Sequence, residues 1–98
     1  MRLKESELNN IKDIFMKVFG EGELYLFGSR VDDSKKGGDI DLYIIPVSGD
    51  NLALKKLNFL VLLKKAIHEQ KIDVVIDRGK NRLIDRMART NGVLLCRY

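Results

Sequence analysis

The sequence predicts an α/β (α+β) fold: one small domain over residues 1–98, with a mixed β-sheet of about four strands packed against helices. Three observations lead there. Apolar residues switch repeatedly between helical spacing and short β-rich runs, glycines and the single proline punctuate the switches, and no repeat or low-complexity linker divides the 98 residues. Leu8, Ile11, Ile14, Phe15 and Val18 recur at helical spacing, so a first helix is expected from Ser6 to Val18, stopped by Gly20 and Gly22. Glu23 to Phe27 and Ile40 to Ile45 read as strands, the first halted by Gly28-Ser29 and the second by Pro46. The longest helix is expected from Asn51 to Glu69, capped by Asp50, with Leu54, Leu57, Val61 and Ile67 along its inner face. A strand over Ile72 to Ile76 follows. Then come a helix over Asn81 to Thr90, with Leu83, Ile84, Met87 and Ala88 inward, and a strand over Val93 to Cys96. The pattern leaves strand order open, and the link between the first two strands can be a crossover or a hairpin.

Composition narrows the function classes. The chain is 45% apolar, enough for one core, but a protein of this size buries too little surface to enclose a deep site alone. The substrate site should therefore be open or shared. No apolar run reaches the roughly 18 residues that span a bilayer, and the charged N-terminus has no signal core, so no membrane role and a cytoplasmic location are expected. With one cysteine, Cys96, and one histidine, His68, no cysteine/histidine metal cage can form, and any metal must be held by oxygen. The net charge of +4 is concentrated near the C-terminus, where Arg78, Lys80, Arg82, Arg86, Arg89 and Arg97 are opposed only by Asp85. That segment contains no aromatic residue from Lys80 to Arg97 and no known nucleic-acid motif, so nucleic acid is not the expected partner.

The chemistry lies in three short pieces. In Asp39-Ile40-Asp41-Leu42-Tyr43, the period of two places Asp39, Asp41 and Tyr43 on one face. Two carboxylates rooted about 7 Å apart repel unless a cation joins them, which is how hard divalent ions are held. In Ile72-Asp73-Val74-Val75-Ile76 a lone carboxylate interrupts a β-branched strand, where an unpaired charge is costly, so Asp73 should face a cation or the mouth of a cleft. Either reading is open for Asp73 against a simple pairing with Lys71 or Arg78. In Gly28-Ser29-Arg30, glycine permits close backbone approach, a hydroxyl can donate and a guanidinium can neutralise, which together suit a phosphate. Neither a Walker loop nor a G-x-G-x-x-G fingerprint is present.

Gly28-Ser29, nine intervening residues, Asp39-Ile40-Asp41 in an apolar strand and Asp73 in a later strand together resemble the nucleotidyltransferase superfamily with the polymerase-β-like fold. The likeness covers about Leu8 to Leu95, and its brevity is similar to the minimal nucleotidyltransferases paired with helical HEPN-domain proteins in prokaryotes. The resemblance implies two Mg²⁺ ions, with Mn²⁺ as a substitute, and a nucleoside triphosphate donor, ATP foremost, whose monophosphate passes to an acceptor hydroxyl. It assigns Asp39, Asp41 and Asp73 to metal binding and catalysis, and Gly28 and Ser29 to the triphosphate-binding turn, with Arg30 read beside them as a charge that can neutralise the phosphates. It also implies a HEPN-type toxin as acceptor, the chain acting as antitoxin. One departure stands out: where many relatives follow Gly-Ser-Arg with a small residue and Arg-Gly, this chain has Val31-Asp32-Asp33.

Other readings compete. A non-catalytic nucleotide- or partner-binding module would use the same residues without turnover, and a small alcohol such as an aminoglycoside could replace the protein acceptor. Because the sequence runs only one strand past its last helix, the other wall of the cleft is expected from a second protein, or from a second copy in a homo-oligomer. Lys35 and Lys36 read as solvated loop lysines, His68 as a cation suited to the dipole near the end of the long helix and Cys96 as a small core residue, while Tyr43 can either stack on a substrate or fill the sheet face.

Overall fold

A computed structural model describes residues 3–28, 39–67 and 71–98 of the chain. The elements are α1 (Glu5–Val18), β1 (Glu23–Phe27), β2 (Ile40–Ile45), α2 (Leu52–Ala66), β3 (Ile72–Ile76), α3 (Leu83–Asn91) and β4 (Val93–Arg97). The four strands form one mixed sheet in the order β3-β2-β1-β4, matching the expected fold class. β1 runs antiparallel to both β2 and β4, so the first two strands pair as a hairpin does; β2 and β3 are parallel, joined through α2.

Alternation along the strands sorts the side chains onto two faces. Leu24, Leu26, Ile40, Leu42, Ile44, Ile72, Val74, Ile76 and Cys96 point to the face covered by α1 and α2, where they meet Ile11, Phe15, Phe59 and Leu63. α1 starts with the Glu7 carboxylate accepting the Lys4 N–H at 3.0 Å, which satisfies one of the helix's orphan donors. Burial raises the Cys96 thiol pKa, in keeping with a core role.

α2 departs from the expected pattern at its start and in its facing. Asn51, in the left-handed region at φ 57°, is the N-cap in place of Asp50, and no side chain caps the helix. The Asp50 N–H donates to Ser48 Oγ at 3.2 Å, and the helical ladder opens with Lys55 N–H to the Asn51 carbonyl at 2.9 Å. Asparagine tolerates that backbone conformation, so the turn itself starts the helix. The inner side is Phe59, Leu63 and the following Ile67, whereas Leu54, Leu57 and Val61 are exposed. α2 is apolar on two sides, and the larger aromatic decides which turns inward: the Phe59 ring lies 6.2 Å from Phe15 and 5.7 Å from Phe19. The helix closes at Ala66, with Ile67 N–H donating to the Leu63 carbonyl at 2.7 Å; Glu69, its expected end, lies outside the described residues.

α3 covers part of the other sheet face, and it is not held there by the residues expected. Leu83 and Met87 are 66% and 53% exposed, Ile84 is also exposed, and only Ala88 of the expected inner set is buried. The second buried residue is Asp85. Its fully buried carboxylate accepts from the Tyr43 hydroxyl at 3.0 Å, from the Arg82 backbone N–H at 2.8 Å, and from the Arg82 guanidinium at 2.9 and 3.1 Å. Arg82 also donates to the Ile76 carbonyl at 2.9 Å, and Arg89 pairs with Asp77 at the end of β3. The helix therefore starts at Leu83, after the arginine that its own third residue engages, and not at Asn81. Polar ties to β2 and β3 orient α3, and they leave its apolar residues outside.

The hydrogen bonds from Arg82, outweighing the opposing effect of burial, hold the Asp85 carboxyl down at about 2, while burial and donation to Asp85 push the Tyr43 hydroxyl up to about 12. Because the Asp85 pKa is depressed on folding, its stabilisation is complete above the unfolded value of about 4 and is lost as pH falls toward 2. Asp85→Ala should therefore lower stability by roughly 2–4 kcal/mol, and Tyr43→Phe by about 1 kcal/mol, in urea denaturation at pH 7. The stability difference between wild type and Asp85→Asn should narrow as pH is lowered from 5 to about 2.

Candidate functional site

The parallel register of β2 and β3 sets Ile40 beside Ile72 and Asp41 beside Asp73. The two aspartates share the sheet face opposite α1 and α2, as their odd positions require. Asp41 is half-buried, and Asp73 is exposed, so the carboxylate that interrupts an apolar strand avoids the core by facing solvent. Asp39 precedes β2, and its Oδ2 lies 3.7 Å from Lys71 Nζ, with both side chains substantially exposed. Lys71 thus pairs with Asp39 and not with Asp73. A pair so exposed contributes at most about 1 kcal/mol.

Asp41 is the electrostatic centre of the group. Its carboxyl pKa is raised first by burial and then by the charges of Asp73 and Asp39, with Lys71 pulling weakly the other way. Among the described residues, three carboxylates act on one place with Lys71 as the counter-charge that lowers the Asp41 pKa. Gly28, directly after β1, presses against the same group: at φ +78° it adopts a conformation that side chains rarely take, and a Cβ there would overlap the Asp41 carboxylate. Phe27, the residue facing Asp41 across the β1–β2 pair, places its ring edge-on to Tyr43 at 6.4 Å. Tyr43 itself is fully buried and committed to Asp85, so it fills the sheet face and is not available to stack on a ligand.

Among the described residues the donor set is carboxylate oxygen, which suits a hard divalent cation. Among the described residues no three carboxylate, histidine or cysteine side chains close into a metal cage. An open arrangement of this kind fits Mg²⁺, which is usually held by one or two carboxylates and completed by water and substrate phosphates. Of the six residues expected in the site, the structure brings Gly28, Asp41 and Asp73 together, with Asp39 at the edge toward Lys71. Ser29 and Arg30 lie outside the described residues, as do Lys35, Lys36 and His68. Sequence reasoning missed Asp85 and Arg82, which anchor α3 to the strand bearing Asp41; the signal was an acidic residue at the third position of a helix, where it can receive the N-cap N–H.

A sequence profile described as "Polymerase beta, Nucleotidyltransferase" matches residues 9–98. The chain belongs to this nucleotidyltransferase family. Solved structures similar to this nucleotidyltransferase include a mutant of the MntA–HpeT toxin–antitoxin, at 19% identity and TM-score 0.74, covering 93% of this chain and 73% of that one. A tri-AMPylated HEPN toxin of Shewanella oneidensis in complex with its MNT antitoxin matches at 21% identity and TM-score 0.70, over 94% of this chain and 71% of that one. A toxin–antitoxin with AMP-PNP matches at 21% identity and TM-score 0.75, over 93% and 73% of the two chains. Among curated proteins, none matches the sequence. The structural likenesses agree with the fold that the family profile implies.

Two outcomes follow from the geometry of this nucleotidyltransferase. Gly28→Ala should reduce nucleotidyl transfer at least tenfold and lower the melting temperature, because the new methyl group must displace either the turn or Asp41. Asp41→Asn should reduce transfer by roughly a hundredfold or more. Without metal at pH 7, however, it should melt at or above the wild-type temperature. The Asp41 pKa is raised on folding, so its ionised form strains the native state at neutral pH, and that strain disappears as acid protonates it; melting curves at pH 7 and pH 4 would show the gap closing.

Proposed function

We propose that this chain is a Mg²⁺-dependent nucleotidyltransferase that transfers AMP from ATP to a hydroxyl of a HEPN-type toxin and thereby acts as its antitoxin. The observation that carries the reading is the Asp41–Asp73 pair, in register on the open sheet face, with a side-chain-free turn at Gly28 pressed against it. Family membership supports the chemistry, and the likeness to complexes of HEPN toxin with MNT antitoxin, one of them tri-AMPylated, supports the acceptor.

Each residue has a distinct task. Gly28 lets the triphosphate come close to the strand end, and Ser29 and Arg30 supply a donor and a positive charge to its oxygens. Asp39 and Asp41 would hold one ion against the triphosphate, and Asp73 would share a second on the acceptor side. Bound Mg²⁺ supplies neutralisation of the triphosphate and of the leaving pyrophosphate, and acidifies the acceptor hydroxyl. The hydroxyl oxygen forms a bond to the α-phosphorus, the bond from that phosphorus to the bridging oxygen breaks, and pyrophosphate departs. Asp73 is exposed and within reach of solvent, so it serves as metal ligand or as acceptor of the hydroxyl proton. Holding the hydroxyl in line is the partner's contribution, and proximity of this kind is worth several orders of magnitude in rate.

The test combines the chain with labelled ATP, Mg²⁺ and a HEPN-type protein encoded beside it, followed by mass analysis of each component. The expected result is a gain of one or more AMP groups on hydroxyls of the partner, pyrophosphate release, and roughly a hundredfold loss of both in Asp73→Asn. Mg²⁺ with ATP should also raise the melting temperature of the wild type. Rapid transfer to an aminoglycoside with no partner present would replace the antitoxin reading with a small-molecule acceptor.

A further inference from the structure

On the side of the sheet away from Asp41 and Asp73, α2 presents an apolar stripe to solvent. Leu54, Leu57 and Val61 recur at i, i+3 and i+7, and the two leucines are 57% and 58% exposed, while Phe59 and Leu63 on the opposite side of the same helix are fully buried. A helix that is apolar on both sides is suited to being covered on both, and this spacing is that of one seam of a helix pair. Beside the stripe, a groove of about 350 Å³ is lined by Lys17 and Val18 of α1 and by Lys55, Asn58, Val61 and Leu62 of α2.

Charge decides the occupant. α2 carries Lys55, Lys56, Lys64 and Lys65 and no acidic residue. Lys64 and Lys65, three and four residues after Val61, border the stripe, and Lys55 and Lys17 line the groove beside it, so a second copy laid parallel along the stripe would set like charges against each other, which opposes pairing. A helix with the same apolar spacing but flanked by carboxylates meets attraction at every such position.

We propose that the outer face of α2 docks an amphipathic helix of a partner protein whose apolar seam is bordered by Asp and Glu. The face lies across the sheet from the carboxylate site, so an occupant held there leaves Asp41 and Asp73 open to nucleotide and acceptor. It is an assembly surface, and it does not depend on which hydroxyl is modified.

Binding can be measured without ATP or metal, which separates this proposal from the transfer reaction. The probes are two synthetic helical peptides with leucines at i, i+3 and i+7, one flanked by glutamates and one by lysines, titrated with the full chain by fluorescence anisotropy. The glutamate peptide should bind at least tenfold more tightly, and its affinity should fall with added salt. Leu57→Glu with Val61→Glu should abolish binding while circular dichroism stays unchanged, because both positions are exposed. Lys64→Glu with Lys65→Glu, which leaves the seam intact, should reduce or reverse the preference between the peptides. Equal binding of the two peptides, binding of neither, or self-association of the chain through this face in sedimentation would overturn the proposal.

Discussion

The buried carboxylate of Asp85 is the constraint around which one side of this molecule is arranged. It is fully enclosed, and an enclosed charge persists only if its lone pairs are taken up, here by Tyr43 and by the backbone and guanidinium of Arg82. Because Tyr43 belongs to β2 and Arg82 also reaches the Ile76 carbonyl of β3, these bonds fix α3 against the two strands that begin with the site aspartates. Hydrophobic burial could have placed the helix in several rotations about its axis. A carboxylate with directional partners selects one, even though it leaves Leu83 and Met87 outside.

The same two strands carry different electrostatic arrangements at their two ends. Near Ile76 the acids are matched, Asp85 by Arg82 and Asp77 by Arg89. At the start of β2 and β3, among the described residues, Lys71 approaches from the outer side, where it pairs with Asp39. Burial first, and then the neighbouring charges of Asp73 and Asp39, raise the pKa of Asp41 there. The ion pairs near Ile76 thus serve the fold, while Asp41 and Asp73 face the open side of the sheet.

Much of this was legible in the sequence, because strands with a buried face announce themselves. The limits of β1 and β2 follow directly from β-rich runs closed by glycine and proline, those of β3 from its β-branched run, and the face shared by Asp39, Asp41 and Tyr43 from alternation alone. The orientation of the helices was less accessible. α2 has leucines on both sides, so periodicity could not say whether Leu57 or Phe59 turned inward, and in α3 an aspartate took the place an apolar residue was expected to fill. Strand order was hidden as well, since it depends on pairings between segments distant in sequence. The adjacency of Asp41 and Asp73 could be expected from the family resemblance, but only the parallel register shows it.

That register has a consequence for how such a chain can diverge. A slip of one residue between β2 and β3 would carry Asp41 or Asp73 to the face packed by α1 and α2 and bring an isoleucine or leucine to the open side, disrupting core and site in a single step. A slip of two keeps the faces but separates the aspartates along the strand by about 7 Å. Inserted or deleted residues within either strand therefore have no gradual route to tolerance. The pairing of two short strands makes this part of the molecule discrete in its possible forms.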